Sequence, residues 1–225
     1  MVDIGVDLHR KSSQVAVIDN SGTVLSNRKV PTASDELLRI FGEWEPADLE
    51  VAFEATFGWG WFADLLADAG IPAHMAHPLA TKALVAGRVK NDKVDARTLA
   101  HRLRTGLLPE AWIAPPEVRE ARRLVRRRAG LVRIRTRLKC QVHAVLAEHG
   151  IRSPMADLFW PGGQRMLSKL ELPTIAQGRL QACLRIIEEL GEEVEVADQE
   201  IEQLFSGMSG CGGCFPSRAW ASSRP

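Results

Sequence analysis

The 225-residue chain has no stretch approaching the roughly 20 consecutive apolar residues that a membrane span requires, so no spanning helix is expected. It has only four cysteines, at 140, 183, 211 and 214. "CGGC" (211–214) is a single CxxC with no second pair and no histidine at ligand spacing, which argues against a zinc site needing four such donors. Cys140 and Cys183 stand singly in helical patterns and are expected to be packed thiols. The opening "MVDIGVDLH" carries an acid at Asp3 and reads as a strand rather than a signal peptide, which makes the cytoplasm the expected compartment. Net charge is also lacking, at +1, but that balance hides a partition.

Residues 1–81 hold 5 Lys/Arg against 12 Asp/Glu, residues 82–139 hold 17 against 5, and residues 140–225 hold 7 against 11. So basic a middle segment has two readings, a solvated helix face or a surface for a phosphate-rich partner.

Three strand-like runs open the chain: "VDIGVDLH" (2–9), "QVAVID" (14–19) and "TVLSNRKV" (23–30). The "NSG" between the last two suits a hairpin turn, so an antiparallel meander is expected. "SDELLRIFGEW" (34–44) reads as a helix capped by Ser34, with Leu37, Leu38, Phe41 and Trp44 on one face. "LEVAFE" (49–54) is a buried strand, "GWGWFADLLADAG" (58–70) a helix ending at Gly70, and "IPAHMA" (71–76) another strand. A hairpin series followed by alternating helix and strand predicts a mixed α/β sheet. The ribonuclease-H-like fold has this order, and so does the actin-like ATPase fold. The second needs a longer chain and a further Gly-rich phosphate loop after a strand, and neither is present.

"PLATKALV" (78–85) reads as helical, a longer helix starts at or near Asp92 and runs to about Leu108, and "LLPEAWIAPPE" (107–117) is a proline-broken link. From Glu117 to about His149 one long helix is expected. Leu124, Leu131, Leu138 and Val145 repeat every seven residues, as do Val118, Val125 and Val132, which makes a coiled-coil seam. Much of the rest is arginine. After "LELPTIAQ" a second helix carries apolar residues from Leu180 to Leu204 and acids on its other faces, so the two helices could pair within one chain or between two. Three regions follow: a mixed α/β domain over 1–109, a helical region over 117–205 and a patternless tail over 206–225 that is expected to be unstructured.

Four carboxylates carry the candidate chemistry. Asp7 ends the first strand and Glu54 the fourth; adjacent strands would bring them together. Asp92 and Asp95, three apart at a helix start in "KNDKVDARTLAHRL", share one face. Four such oxygens suit two Mg²⁺ ions, with Mn²⁺ able to stand in, and two metals roughly 3.5–4 Å apart promote phosphoryl transfer. Each residue has a plainer role as well: a strand end in solvent for Asp7, a lysine partner for Glu54, and a helix cap with dipole support for Asp92 and Asp95. Taken jointly beside the basic segment, the metal site is the reading preferred. Lys90 and Lys93 would meet the scissile phosphate, and Arg122, Arg123, Arg126, Arg127, Arg128 and Arg133 would lie along a nucleic-acid backbone. Trp59 and Trp61 are read as core or subunit contacts, and His74 and His77 as structural hydrogen-bonders.

"GVDLHRKSSQVAVID", "FEATFGWGWFADLLADAGI" and "HPLATKALVAGRVKNDKVDARTLAHRL", followed by an arginine-rich helix, resemble the DEDD transposases of insertion-sequence family 110 from about residue 2 to 205. The resemblance implies a RuvC-like nuclease domain in which Asp7, Glu54, Asp92 and Asp95 match the acidic tetrad. It also implies Mg²⁺-dependent cleavage and exchange of DNA at element ends and target, dimerisation or higher assembly through the coiled coil, and an element-encoded guide RNA. Family members continue into a helical domain with a nucleophilic serine. The chain leaves the pattern near Phe205, so no serine is carried over, and a shortened copy is expected. The competing expectation is a nucleic-acid-binding dimer without turnover, inhibiting intact copies.

Overall fold

The computed structural model describes residues 1–56, 58–83, 92–153, 155 and 157–208. They divide into two compact units, residues 1–116 and residues from 117 onward.

In the first unit, strands β1 (Val2–Asp7), β2 (Ser12–Asp19), β3 (Val24–Pro31), β4 (Leu49–Glu54), β5 (Ala73–Ala76) and β6 (Glu110–Ala111) form one sheet in the order β3-β2-β1-β4-β5-β6. β2 is antiparallel to both β1 and β3, β4 runs parallel to β1 and β5, and β6 closes the edge antiparallel to β5. The meander and the adjacency of the first and fourth strands follow the expected order; β6 lies inside the segment read from its prolines as a link. At the β2–β3 turn, Asp19 Oδ1 accepts hydrogen bonds from the Ser21 hydroxyl and the Ser21 and Thr23 amides, at 2.6, 2.9 and 2.9 Å. These bonds, the Ser21 hydroxyl first, hold the Asp19 carboxyl below its ordinary pKa. Gly22 supplies the positive φ of 86° that this turn needs.

Side chains alternate across a strand, so β1 has two different faces. Val2, Ile4 and Val6 point into the main core with Val15, Val17, Leu49, Val51, Phe53 and Met75. Helices α1 (Ser34–Phe41) and α2 (Gly60–Asp68) cover that face through Leu37, Ile40, Phe41, Phe62 and Leu66. Phe53 and Phe62 meet edge-on with centroids 5.2 Å apart; each buried ring contributes roughly 1.5–3 kcal/mol. Trp59 packs beside this core, whereas Trp61 is 38% exposed and stands edge-on to Phe62. Ser34 does not cap α1: the cap position is Ala33, with no side-chain hydrogen bond, and Leu38 faces outward while Ile40 is buried. The helix stops at Phe41, about one turn earlier than expected, and its buried stripe is Leu37, Ile40 and Phe41.

The opposite face of the sheet is made of Asp3, Gly5 and Asp7 on β1, paired in register with Glu50 and Ala52 on β4. Helix α4 (Asp92–Arg104) lies on it, Leu99 and Leu103 packing with Ala52 and Ala76. Small residues there admit the helix backbone itself. The short helix α3 (Pro78–Ala83) precedes α4. The remainder of the "PLATKALV" expectation, and Lys90, lie outside the described residues.

In the second unit, α5 (Pro116–Glu148), α6 (Pro161–Ser168) and α7 (Thr174–Met208) are helical, α6 within a stretch where the sequence showed no element. α5 and α7 pair antiparallel within one chain. Arg179 bonds Glu148 (2.8 Å), Cys183 bonds Gln141 (3.6 Å), Arg128 bonds Asp198 (2.8 Å), and Arg127 reaches Glu193 (3.1 Å) and Glu200 (2.7 Å). Val142, Val145, Leu146, Leu158, Leu167 and Leu180 form the core at the end where α6 inserts, while Leu124 and Leu131 of the heptad row are only half-buried. Cys183 is buried as expected, but Cys140 is exposed: it lies on the side of α5 turned away from that core. α7 runs two residues past Ser206; the rest of the tail and the CGGC pair lie outside the described residues.

Candidate active site

Asp7 and Glu54 end β1 and β4, two parallel neighbours. The register Gly5↔Ala52 and Val6↔Phe53 places both carboxylates on the face covered by α4, at the carboxyl ends of the strands. Asp7 is only 7% exposed, and the His9 ring donates to it from Nε2 to Oδ2 at 3.1 Å. The loop bearing His9 is anchored in turn, because the Thr32 hydroxyl donates to the His9 carbonyl at 2.8 Å and pairs with Ser13 Oγ at 2.7 Å. The Thr56 hydroxyl donates to the Leu8 carbonyl at 3.3 Å, linking the ends of β1 and β4. Gln14, opposite Asp7 in the β1–β2 ladder and buried, is held by its Nε2 bond to Asn27 Oδ1 at 2.6 Å.

The direction of α4 decides where its acids go. A β-carbon built on Gly5 would stand 1.9 Å from the Ala96 carbonyl oxygen and 2.6 Å from the Ala100 nitrogen, so the helix backbone rests on mid-β1. At the other end of α4, Arg104 lies against Gly22 and its Nη1 donates to the Asn20 carbonyl at 3.3 Å. Asn20 adjoins Asp19, the partner of Val2, so the last turn of α4 sits over the start of β1 and its first turn over the end. Asp92 begins the helix four positions before Ala96, about 6 Å along its axis, and Asp7 lies two residues beyond Gly5, about 6.6 Å along the strand. Asp95 is one turn before Leu99, on the line that packs against Ala52, and half-buried. The side chains of Asp92 and Lys93 lie outside the description. Among the described residues, no group of three or more His, Cys, Asp and Glu side chains is set to hold a metal ion.

A second polar group, which the sequence reading missed, occupies the far end of the same face. Asp3 is 3% exposed, and burial followed by the neighbouring Glu50 carboxylate raises its pKa against the opposing pull of Arg104. His74 Nδ1 donates to Glu110 Oε1 at 3.0 Å and its Nε2 lies 3.7 Å from Glu50 Oε2. The structural role expected for His74 fits this bridge of β4, β5 and β6, and His77 Nδ1 accepts from the Ala80 amide at 3.4 Å. The signal for this group was available in the alternation of "VDIGVD", which puts Asp3 on the same face as Asp7. On the outer face of α4 a groove of about 280 Å³ is lined by Arg97, His101 and Arg104. Burial, then Arg104 and Arg97, lowers the His101 pKa.

A sheet in the ribonuclease-H-like order, with acids at the ends of its two central parallel strands, is accompanied by a match over residues 4–151 to a family model described as transposase, that of the DEDD transposases of insertion-sequence family 110. The chain belongs to this family. Among solved structures, the RuvC of Thermus thermophilus is similar over 49% of this chain and 100% of its own, at 16% identity and a TM-score of 0.37. The T. thermophilus RuvC in complex with Holliday junction substrate is similar over 49% of this chain and 99% of its own, at 17% identity and a TM-score of 0.35. No curated protein matches the chain. Among the described residues, no helix of this transposase-family chain is long and apolar enough to cross a membrane.

Proposed function

We propose that the chain is a Mg²⁺-dependent DNA-cleaving transposase whose Asp7, Glu54, Asp92 and Asp95 hold the metal. The observation that carries this reading is the antiparallel seating of α4 on β1, fixed by Gly5 beneath Ala96, which sends the first turn of α4 to the strand ends bearing Asp7 and Glu54. The residues suit the group: all four offer carboxylate oxygens, the donors Mg²⁺ prefers, and a carboxylate buried as Asp7 is at a sheet end calls for positive charge. When bound, two such ions supply activation of the attacking oxygen and neutralisation of the leaving one.

The chain's own residues position and steer. His9 orients Asp7 through its Nε2 hydrogen bond, and the Thr32 anchor holds the His9 backbone in place. Lys90 and Lys93, beside the acids in sequence, attract the scissile phosphate. Arg126 and Arg133 on α5, and to a lesser extent Arg122, which has an interaction within the chain, contact the DNA backbone. Arg127 and Arg128 are engaged with Glu193, Glu200 and Asp198, and Arg123 with Glu120, so their share of DNA binding is smaller. Assembly into a dimer through α5 and α7, and recognition of a guide RNA, belong to the same reading.

The test is cleavage of branched DNA with Mg²⁺ or Mn²⁺ by the chain and by its Asp92→Ala variant. Metal-dependent cleavage lost in the variant supports the enzyme; equal background in both leaves a DNA-binding protein without turnover.

A further inference from the structure

Gly130 lies in the middle of the 33-residue helix α5, and a β-carbon there would meet nothing within 4 Å among the described residues. Gly5 and Gly163 differ: at each, a β-carbon would stand about 2 Å from a backbone oxygen of the same chain. Glycine in a helix interior lowers stability relative to other residues, so its presence calls for a reason, and close packing against the described residues is not one.

The neighbours of Gly130 supply one. Residues three, four and seven apart share a helix face, which places Arg126, Gly130, Arg133 and Arg137 in one stripe. Among the described residues Arg126 and Arg137 make no ion pair, and the Nε of Arg133 donates to the Ala129 carbonyl, not to an acid. All three are exposed, and α5 carries no Asp or Glu between Glu120 and Glu148. The next arginines round the helix, Arg127 and Arg128, turn to the acidic α7. The pairing of α5 with α7 therefore neutralises one side of the basic helix and leaves the other cationic. That side spans about 16 Å from Arg126 to Arg137, close to five base pairs of duplex.

We propose that Arg126, Arg133 and Arg137 seat the phosphate backbone of duplex DNA, and that Gly130 clears the centre of the stripe so that the backbone can approach. The choice of DNA rests on the transposase reading above. Salt-dependent binding of a short labelled DNA duplex to the full chain, with EDTA present, tests the surface separately from cleavage.

Gly130→Gln is expected to weaken binding about tenfold while the melting temperature stays level or rises. Replacing Arg126, Arg133 and Arg137 with Gln is expected to flatten the slope of log K against log salt by about 0.9 per arginine. Arg127→Gln and Arg128→Gln are expected to lower the melting temperature and to flatten the slope by clearly less than about 0.9 each. Unchanged affinity of Gly130→Gln would overturn the proposal. So would a change in its sedimentation mass, which would assign the cleared face to a second copy, or tighter binding of duplex RNA than of DNA by the parent chain. Loss of cleavage with these binding results intact would count against the metal site alone.

Discussion

Gly5 lies directly beneath Ala96, so close that a β-carbon on Gly5 would fall 1.9 Å from the Ala96 carbonyl oxygen. The contact is backbone against backbone and no rotamer change can relieve it. Gly5→Ala must lift or slide α4, and overpacking of this kind costs typically about 1–3 kcal/mol. The expected outcome is a lower denaturation midpoint together with cleavage lost out of proportion to the fraction unfolded. Full activity in Gly5→Ala would show that the seating of α4 does not set the site.

Asp7→Asn and Asp95→Asn remove a charge while keeping shape. Each is expected to leave the circular-dichroism spectrum unchanged and to reduce cleavage by more than about 100-fold, beyond the 10–100-fold typical of residues that only support a metal ligand. His9→Ala falls in that supporting class. It should raise the Mg²⁺ concentration giving half-maximal cleavage by about 10-fold or more and leave the saturated rate less affected.

Asp3 sets a pH dependence of opposite sign from an ordinary salt-bridged carboxylate. Its folded-state pKa is raised, by burial first and Glu50 second, so between the unfolded value of 3.8 and the folded one the native state binds more protons. Stability contributed by this group is therefore present below the unfolded pKa and declines as pH rises through the folded one. Asp3→Asn should raise the melting temperature at neutral pH and lose that advantage near pH 3.8. An equal shift at both pH values would assign the effect to packing instead.

The Arg128–Asp198 pair joins α5 to α7 through two guanidinium bonds of 2.8 and 3.3 Å, yet its side chains are 34% and 45% exposed. Water and salt screen such a pair, so a double-mutant cycle is expected to return a coupling of about 0.5–1 kcal/mol that fades in high salt. A coupling near zero at low salt would leave the Arg127 pairs with Glu193 and Glu200 and the apolar contacts to hold this end of the hairpin.

The local grammar was legible along the chain. Alternation in "VDIGVD" and "LEVAFE" marked strands with one aliphatic face, and the heptads of α5 with the acidic α7 marked two complementary helices. Such patterns are legible because burial acts on each element's own period. Distance and direction were not in the sequence. That α4 runs antiparallel to β1 emerged from packing, because it depends on small residues from three separate strands, Gly5, Ala52 and Ala76, letting one backbone settle on the sheet. Likewise the choice among equally basic arginines followed from the pairing of α5 with α7, which draws Arg127 and Arg128 to acids some 66–73 residues away in the chain and leaves Arg126 and Arg137 facing outward. Charge can be counted along a chain; which charges are already matched depends on what the fold brings beside them.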